Sequence, residues 1–232
     1  MNNKDRSNAV SIARVSLSLC LGLVASAALA AVPYSEDWTA GDTNGWQAGT
    51  TSTTLLRDDT TGNPAASLVL RRILQEPIFD LSATTELAAV SGDYTGEAAW
   101  MVSFDVLYDQ GGFSDTWLRF RYQDFTFDGW HIDVADVFPN SWQSYSVMFD
   151  PSWTDVEAAA NGWVDETGGV VSWQTLMSNV YHPEVRLVLG DELSAIGHVD
   201  NFVLKAVPEP GTLALVLMGI SVCGLVAKRR RR

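Results

Sequence analysis

The sequence predicts an all-β fold, an antiparallel two-sheet sandwich, flanked by an N-terminal signal helix and a C-terminal transmembrane helix. Three observations carry this. Successive segments of five or more residues alternate apolar and polar side chains with a period of two, and clusters of Asp, Gly, Asn and Pro separate them, the pattern of half-buried antiparallel strands. Between the two ends, helical patterning is confined to two short stretches, Asp155–Ala160 and Ser172–Val180. There is therefore no βαβ rhythm, and the strands must bury their apolar faces against a second sheet. The third observation is that the long apolar runs lie only at the two ends of the 232-residue chain.

In chain order, Lys4, Arg6 and Arg14 supply positive charge ahead of an apolar run from Val15 to Leu29, and Ala28-Leu29-Ala30 places small residues where signal peptidase cuts. Residues 1–30 are read as a signal peptide cleaved after Ala30. The strand series then runs through Ser67–Leu74, Ala98–Tyr108, Trp117–Gln123, Trp130–Val137, Trp142–Phe149, Glu184–Leu189 and Val199–Leu204. In the second of these, Trp100, Val102, Phe104, Val106 and Tyr108 share one face. In the third, Leu118, Phe120 and Tyr122 oppose Trp117, Arg119 and Arg121. Residues 31–206 form one compact ectodomain, and residues 207–232 form a tail.

Composition narrows the function of the ectodomain. Both cysteines, Cys20 and Cys223, fall in the ends, which excludes thiolate nucleophiles, thiolate metal sites and disulfides from the domain itself. Its basic residues are Arg57, Arg71, Arg72, Arg119, Arg121, Arg186 and Lys205, 7 against 26 acidic residues, a net charge of 7 − 26 = −19. Such a surface repels phosphate backbones, so nucleic acid is excluded as a partner. It suits high solubility, cations, or neutral partners such as glycans.

The tail has an ordered pattern: Pro208-Glu209-Pro210, an apolar run over 212–227, and a basic cluster over 228–232. As a helix the apolar run spans about 24 Å, slightly under a hydrocarbon core, and the basic cluster should stay cytoplasmic. This places everything before Pro208 on the other side of the inner membrane. In order and position the tail resembles the PEP-CTERM sorting tail. The resemblance covers about the last 26 residues and rests on Pro208, Glu209, Pro210 and the cluster Lys228 to Arg232. It implies an exosortase-type transpeptidase as partner in a Gram-negative bacterium that makes extracellular polysaccharide, and membrane anchoring before release to the cell surface or matrix.

The order of features in the ectodomain resembles laminin-B and carbohydrate-binding-module jelly rolls. The residues that carry this are Asp37-Trp38, Asn44-Gly45-Trp46, Ser141-Trp142-Gln143-Ser144-Tyr145, Trp153, Leu176 to Val180, Val185-Arg186-Leu187 and Val199-Asp200-Asn201-Phe202. The resemblance implies a jelly-roll sandwich and a structural calcium ion joining the first strand to the last. Glu36, Asp37 or Asp42 would hold it together with Asp200. The glutamate usual in the family after the first aromatic would fall at Thr39, a departure from the pattern.

All nine tryptophans lie in the ectodomain. Trp100, Trp142 and Trp173 sit in apolar patterns and are assigned to packing. Trp117, Arg119, Arg121, Trp130, His131 and Asp133 form the candidate ligand set, because aromatic faces stack on sugar rings while a few polar groups fix orientation. For catalysis, His131, His182 and His198 show no metal-site spacing, and no Gly-x-Ser-x-Gly elbow occurs. A carboxylate pair of the glycosidase kind would require Asp133 with Asp105 or Asp124. The reading is a non-catalytic, exported surface or matrix domain that binds or associates with extracellular polysaccharide. The alternatives are a structural matrix protein without a defined ligand, and a glycoside hydrolase or lyase.

Overall fold

The structure is a computed structural model that describes residues 30–64, 66–73, 80–122, 129–134, 137–190 and 194–208. The predicted signal peptide, except Ala30, and the predicted membrane span lie outside these residues. Among the described residues no helix is long and apolar enough to cross a membrane.

Two antiparallel six-stranded sheets pack face to face. The first contains β1 (Tyr34–Glu36), β3 (Thr54–Asp58), β4 (Ser67–Ile73), β6 (Trp100–Gln110), β9 (Trp142–Phe149) and β12 (Ser194–Ala206). Its order is β3-β4-β12-β6-β9, and β1 pairs with the C-terminal half of β12. The second contains β2 (Trp46–Ala48), β5 (Leu81–Thr85), β7 (Phe113–Tyr122), β8 (Gly129–Asp133), β10 (Trp163–Asp165) and β11 (Val180–Leu189), in the order β10-β8-β7-β11-β5-β2. Two short helices, α1 (Asp155–Ala160) and α2 (Trp173–Met177), cover one end of the sandwich.

The period-two reading places the inner faces correctly. Trp100, Val102, Phe104, Val106 and Tyr108 of β6 are all buried, as are Leu118 and Phe120 of β7 and Val185 and Leu187 of β11. Aromatic rings fill the end of the core near the helices: Trp163 lies 4.7 Å from Trp173, and Phe120 5.0 Å from Phe149. Rings at such spacings prefer the tilted and edge-on packing seen there. α1 forms where predicted because Thr154 and Glu157 close a capping box at its start. α2 is shorter than predicted: it ends at Met177, and Val180 already belongs to β11.

Asp37-Trp38 and Asn44-Gly45-Trp46 turn the chain from the first sheet to the second. Gly45 has a φ of +82°, and a Cβ there would sit 2.9 Å from Leu87, so glycine meets both demands. Trp38 and Trp46 then bury edge to face at 5.7 Å.

Trp142 departs from its predicted packing role. It opens β9 opposite Leu107, and both alternate away from the core, so Trp142 lies half-buried on the outer face of the first sheet, 6.2 Å edge-on to His198.

Candidate ligand-binding face

Three strands of the second sheet build the candidate face, and their register sets its rows. Arg186 of β11 lies opposite Trp117 of β7, which lies opposite Asp133 of β8. One step along, Glu184, Arg119 and His131 align, and then His182, Arg121 and Gly129. All of these alternate with core residues and therefore point away from the sandwich interior. Gly129 ends its row because a Cβ there would meet the Phe120 carbonyl oxygen at 1.8 Å.

Although the face is directed outward, its central charges are buried. Glu184 is 0% exposed and Arg119 2%, with Arg121, His131 and His182 also buried. The Glu184 carboxylate is shared by three guanidiniums: Arg186 Nε at 3.0 Å, and Arg119 Nη1 and Arg121 Nη1 at 3.4 Å each. Arg119 Nε also donates to Glu166 at 2.5 Å, and Glu166 lies 3.3 Å from His131 Nδ1. Arg186 reaches Asp80 at 3.8 Å.

The electrostatics follow from this pairing. Burial alone would push the Glu184 carboxyl up, but Arg186, Arg119 and Arg121 outweigh it and hold the group below the usual carboxylate range. Glu166 is likewise held down against burial by His131 and Arg119. Burial, helped by the nearby Arg121 and Arg119, lowers His182 to about 4 against the pull of Glu184, so its imidazole is neutral at ordinary pH. At the rim, Asp133 is pushed up by partial burial and by the neighbouring carboxylate of Asp115. The buried part of the face is thus a fixed set of mutually neutralised donors and acceptors, while Asp133 remains open, its side chain 58% exposed.

The structure brings together five of the six predicted ligand residues: Trp117, Arg119, Arg121, His131 and Asp133. Trp130 is the exception and is a correction to the predicted set. It is 3% exposed, donates from Nε1 to the Val171 carbonyl at 3.0 Å and packs edge-on to Trp173 at 5.7 Å. Neighbours on a strand point to opposite faces, so with His131 outward Trp130 must face the core. Trp117 also differs from a free stacking platform. His131 of β8 stacks on its ring at 4.1 Å, and the Arg186 guanidinium of β11 lies 5.7 Å from the ring centroid. These partners come from the strands on either side of β7. The indole therefore stands between them, half-buried, and its buried Nε1 has no hydrogen-bond partner among the described residues.

Sequence reasoning missed Glu184, Arg186, His182 and Glu166. The first two were within reach, since Glu184 and Arg186 alternate with Val185 and Leu187 in a predicted strand. Glu166 lies in the turn after β10 and carries no such periodicity.

Of the residues proposed for calcium, Asp37 lies near enough to Asp200 to help raise its carboxyl, while each also makes contacts of its own. Glu36 accepts from the Trp38 amide at 2.8 Å, Asp37 from the Thr39 amide at 3.0 Å, and Asp42 from the Asn44 amide at 2.8 Å, each a local turn contact. Asp200 is buried beside Asp105 of β6. There it accepts from the Asn63 and Asn201 amides at 2.5 and 2.7 Å, and the side chains of those two asparagines donate to Asp105 at 3.0 and 2.8 Å. Among the described residues no group of three or more His, Cys, Asp or Glu side chains could hold a metal ion. The pairing of Asp133 with Asp105 also fails, because the two lie on the outer faces of different sheets. Asp124 is outside the described residues.

At the other end of the domain, the Val207 amide donates to the Ala99 carbonyl at 2.8 Å, and the exposed Pro208 follows. Glu209 and Pro210 lie outside the described residues.

Residues 206–232 match the PEP-CTERM protein-sorting motif. No curated protein sequence matches the chain. Among solved structures, an exo-beta-agarase is similar with a TM-score of 0.52 and 12% identity over 75% of this chain and 24% of that one, which supports the fold. The CBM22-1 xylan-binding domain from Paenibacillus barcinonensis Xyn10C aligns with a TM-score of 0.49 and 14% identity, over 78% of this chain and 97% of that one. The family 11 carbohydrate-binding module from Clostridium thermocellum, solved with a beta-1,3-1,4-mixed-linked tetrasaccharide, aligns with a TM-score of 0.45 and 14% identity, over 77% and 99%. The chain thus joins an all-β sandwich to a PEP-CTERM protein-sorting motif at its C-terminus.

Proposed function

We propose that the protein is exported, sorted to the cell surface or matrix by its tail, and binds extracellular polysaccharide on the outer face of the second sheet without cleaving it. The motif at 206–232 supports the address and implies an exosortase-type processing enzyme as partner. Signal peptidase and transient anchoring by the apolar run at 212–227 belong to the same reading.

The observation that carries the binding role is the buried Arg119–Glu184–Arg121–Arg186 network on a face directed away from the core. Charges taken out of water are costly to hold unless paired, and packing alone would be served as well by apolar side chains. The buried network fixes the more open groups beside it, Trp117, Arg186 and Asp133, and groups with little freedom left to lose suit recognition of hydroxyl-rich chains. Trp117 contributes the open part of its half-buried indole edge, since His131 and Arg186 occupy the space beside its ring. The polysaccharide is uncharged in this reading. Arg119, Arg121 and Arg186 are already committed to Glu184, Glu166 and Asp80, and the open rim carries Asp133, so an anionic chain would meet repulsion.

Affinity electrophoresis through gels containing neutral or uronate-rich polysaccharides tests this. Retardation is expected in at least one neutral gel, weakened about tenfold in Arg186→Ala, as for loss of a charge-assisted hydrogen bond. Migration unaffected by every neutral polysaccharide would leave the structural matrix role in its place.

A further inference from the structure

β12 is the longest strand among the described residues and runs into the tail without a spacer. The sorting-motif match begins at Ala206, which is itself the last residue of β12. Ala206 is still in register with Trp100 of β6, and the Val207 amide still donates to Ala99, so the backbone is held up to the residue before Pro208. Between Val207 and the apolar run at Thr212 lie only Pro208 to Gly211. Fully extended, those four residues reach about 14 Å.

The last three strand residues are held differently from the rest. β1 pairs with β12 from Phe202 to Leu204, so among the described residues Lys205, Ala206 and Val207 pair on the β6 side alone. Leu204 is buried, whereas Lys205 is exposed and Ala206 is small and half-buried. Short segments with few buried apolar contacts open locally at low free energy, and Leu204 is where such opening should stop.

One common way to recognise an extended peptide is strand addition, in which its main-chain groups pair with the partner. The main chain before Pro208 is already committed to β6. From this geometry we propose that the processing enzyme's recognition element extends upstream of Pro208 to Lys205–Val207, and that engagement requires these residues to peel away from Trp100 and Ala99. The first sheet and the enzyme's peptide groove compete for the same backbone groups. This inference rests on the sorting role of the tail and is independent of glycan binding.

The test follows processing of the full-length chain in a producing cell by pulse–chase, read as the shift from the intact to the shortened chain. A six-residue Gly-Ser spacer between Val207 and Pro208 should speed processing several-fold, because the upstream backbone is then free. An Ala99→Cys/Val207→Cys pair, cross-linked by oxidation, should block processing in the parent chain, with reductant restoring it, and should leave the spacer variant unaffected. A parent chain processed at the same rate with the spacer, or processed normally while cross-linked, would overturn the proposal and leave the sorting role intact. A parent chain never shortened in a cell that processes other tails of this kind would overturn both.

Discussion

The outer faces of the two sheets share a geometry but differ in chemistry. On the first sheet the middle of the outer face carries Ser103, Ser144, Ser146, Met101 and Met148, and Leu56 and Met148 are more than half exposed. Its buried carboxylates, Asp105 and Asp200, are closed off locally by Asn63 and Asn201. On the second sheet three arginines, two glutamates and His131 share one connected network that runs out to the rim at Asp133 and Asp80, with His182 buried beside it. The two faces therefore differ in burial as well as in charge: the second holds its charges paired and out of water, the first leaves apolar side chains open.

The largest test of this contrast is Glu184→Ala. It leaves three guanidiniums without their shared partner and should destabilise the domain by about 3–5 kcal/mol in urea unfolding. A value under about 1 kcal/mol would mean that the network is loosely held and that the two faces differ little.

The next test is pH. His182 stays neutral in the folded state down to about 4, whereas in the unfolded chain it titrates near its ordinary 6.5. Between those values the unfolded state binds more protons, so stability is full above 6.5 and falls as the pH drops toward 4, by about 3 kcal/mol at most. Glu184, held low, extends the loss further down as its carboxylate is protonated. Asp200 on the first sheet works in the opposite sense. Burial raises its carboxyl, so its contribution is full below the ordinary aspartate range and is lost as the pH rises through the raised value. Urea melts from pH 7 to 4 should therefore show a net fall that flattens in His182→Gln.

The smallest expected effect is the control. Ser146→Ala, at an exposed outward position of the first sheet, should change stability by less than about 0.5 kcal/mol and leave polysaccharide binding unaltered. A clear loss of binding there would move the ligand to the other face.

Much of this was legible in the sequence wherever a strand is long enough to show its period. Trp100 through Tyr108 alternate over the whole of β6, and the grouping of Trp117, Arg119 and Arg121 follows from the same rule in β7. Trp130 was grouped with His131 in one ligand set, but neighbours on a strand point to opposite faces, and Trp130 lies inside. Trp142 was misplaced because an apolar context does not say which side of the sheet is the core. The three-residue strands β1, β2 and β10 are too short for any period to register. The ion network was hidden because Glu184 and Glu166 lie 65 and 47 residues from Arg119, and only register brings them together.

The most direct measurement is a nuclear magnetic resonance titration of the ectodomain with a neutral oligosaccharide, following backbone amides and tryptophan indoles together. The account predicts that the Trp117 indole resonance and the amides of Arg119, His131, Glu184 and Arg186 shift in a common saturating curve. Shifts confined to Leu56, Val69, Leu107 and Trp142, on the outer face of the first sheet, would contradict it.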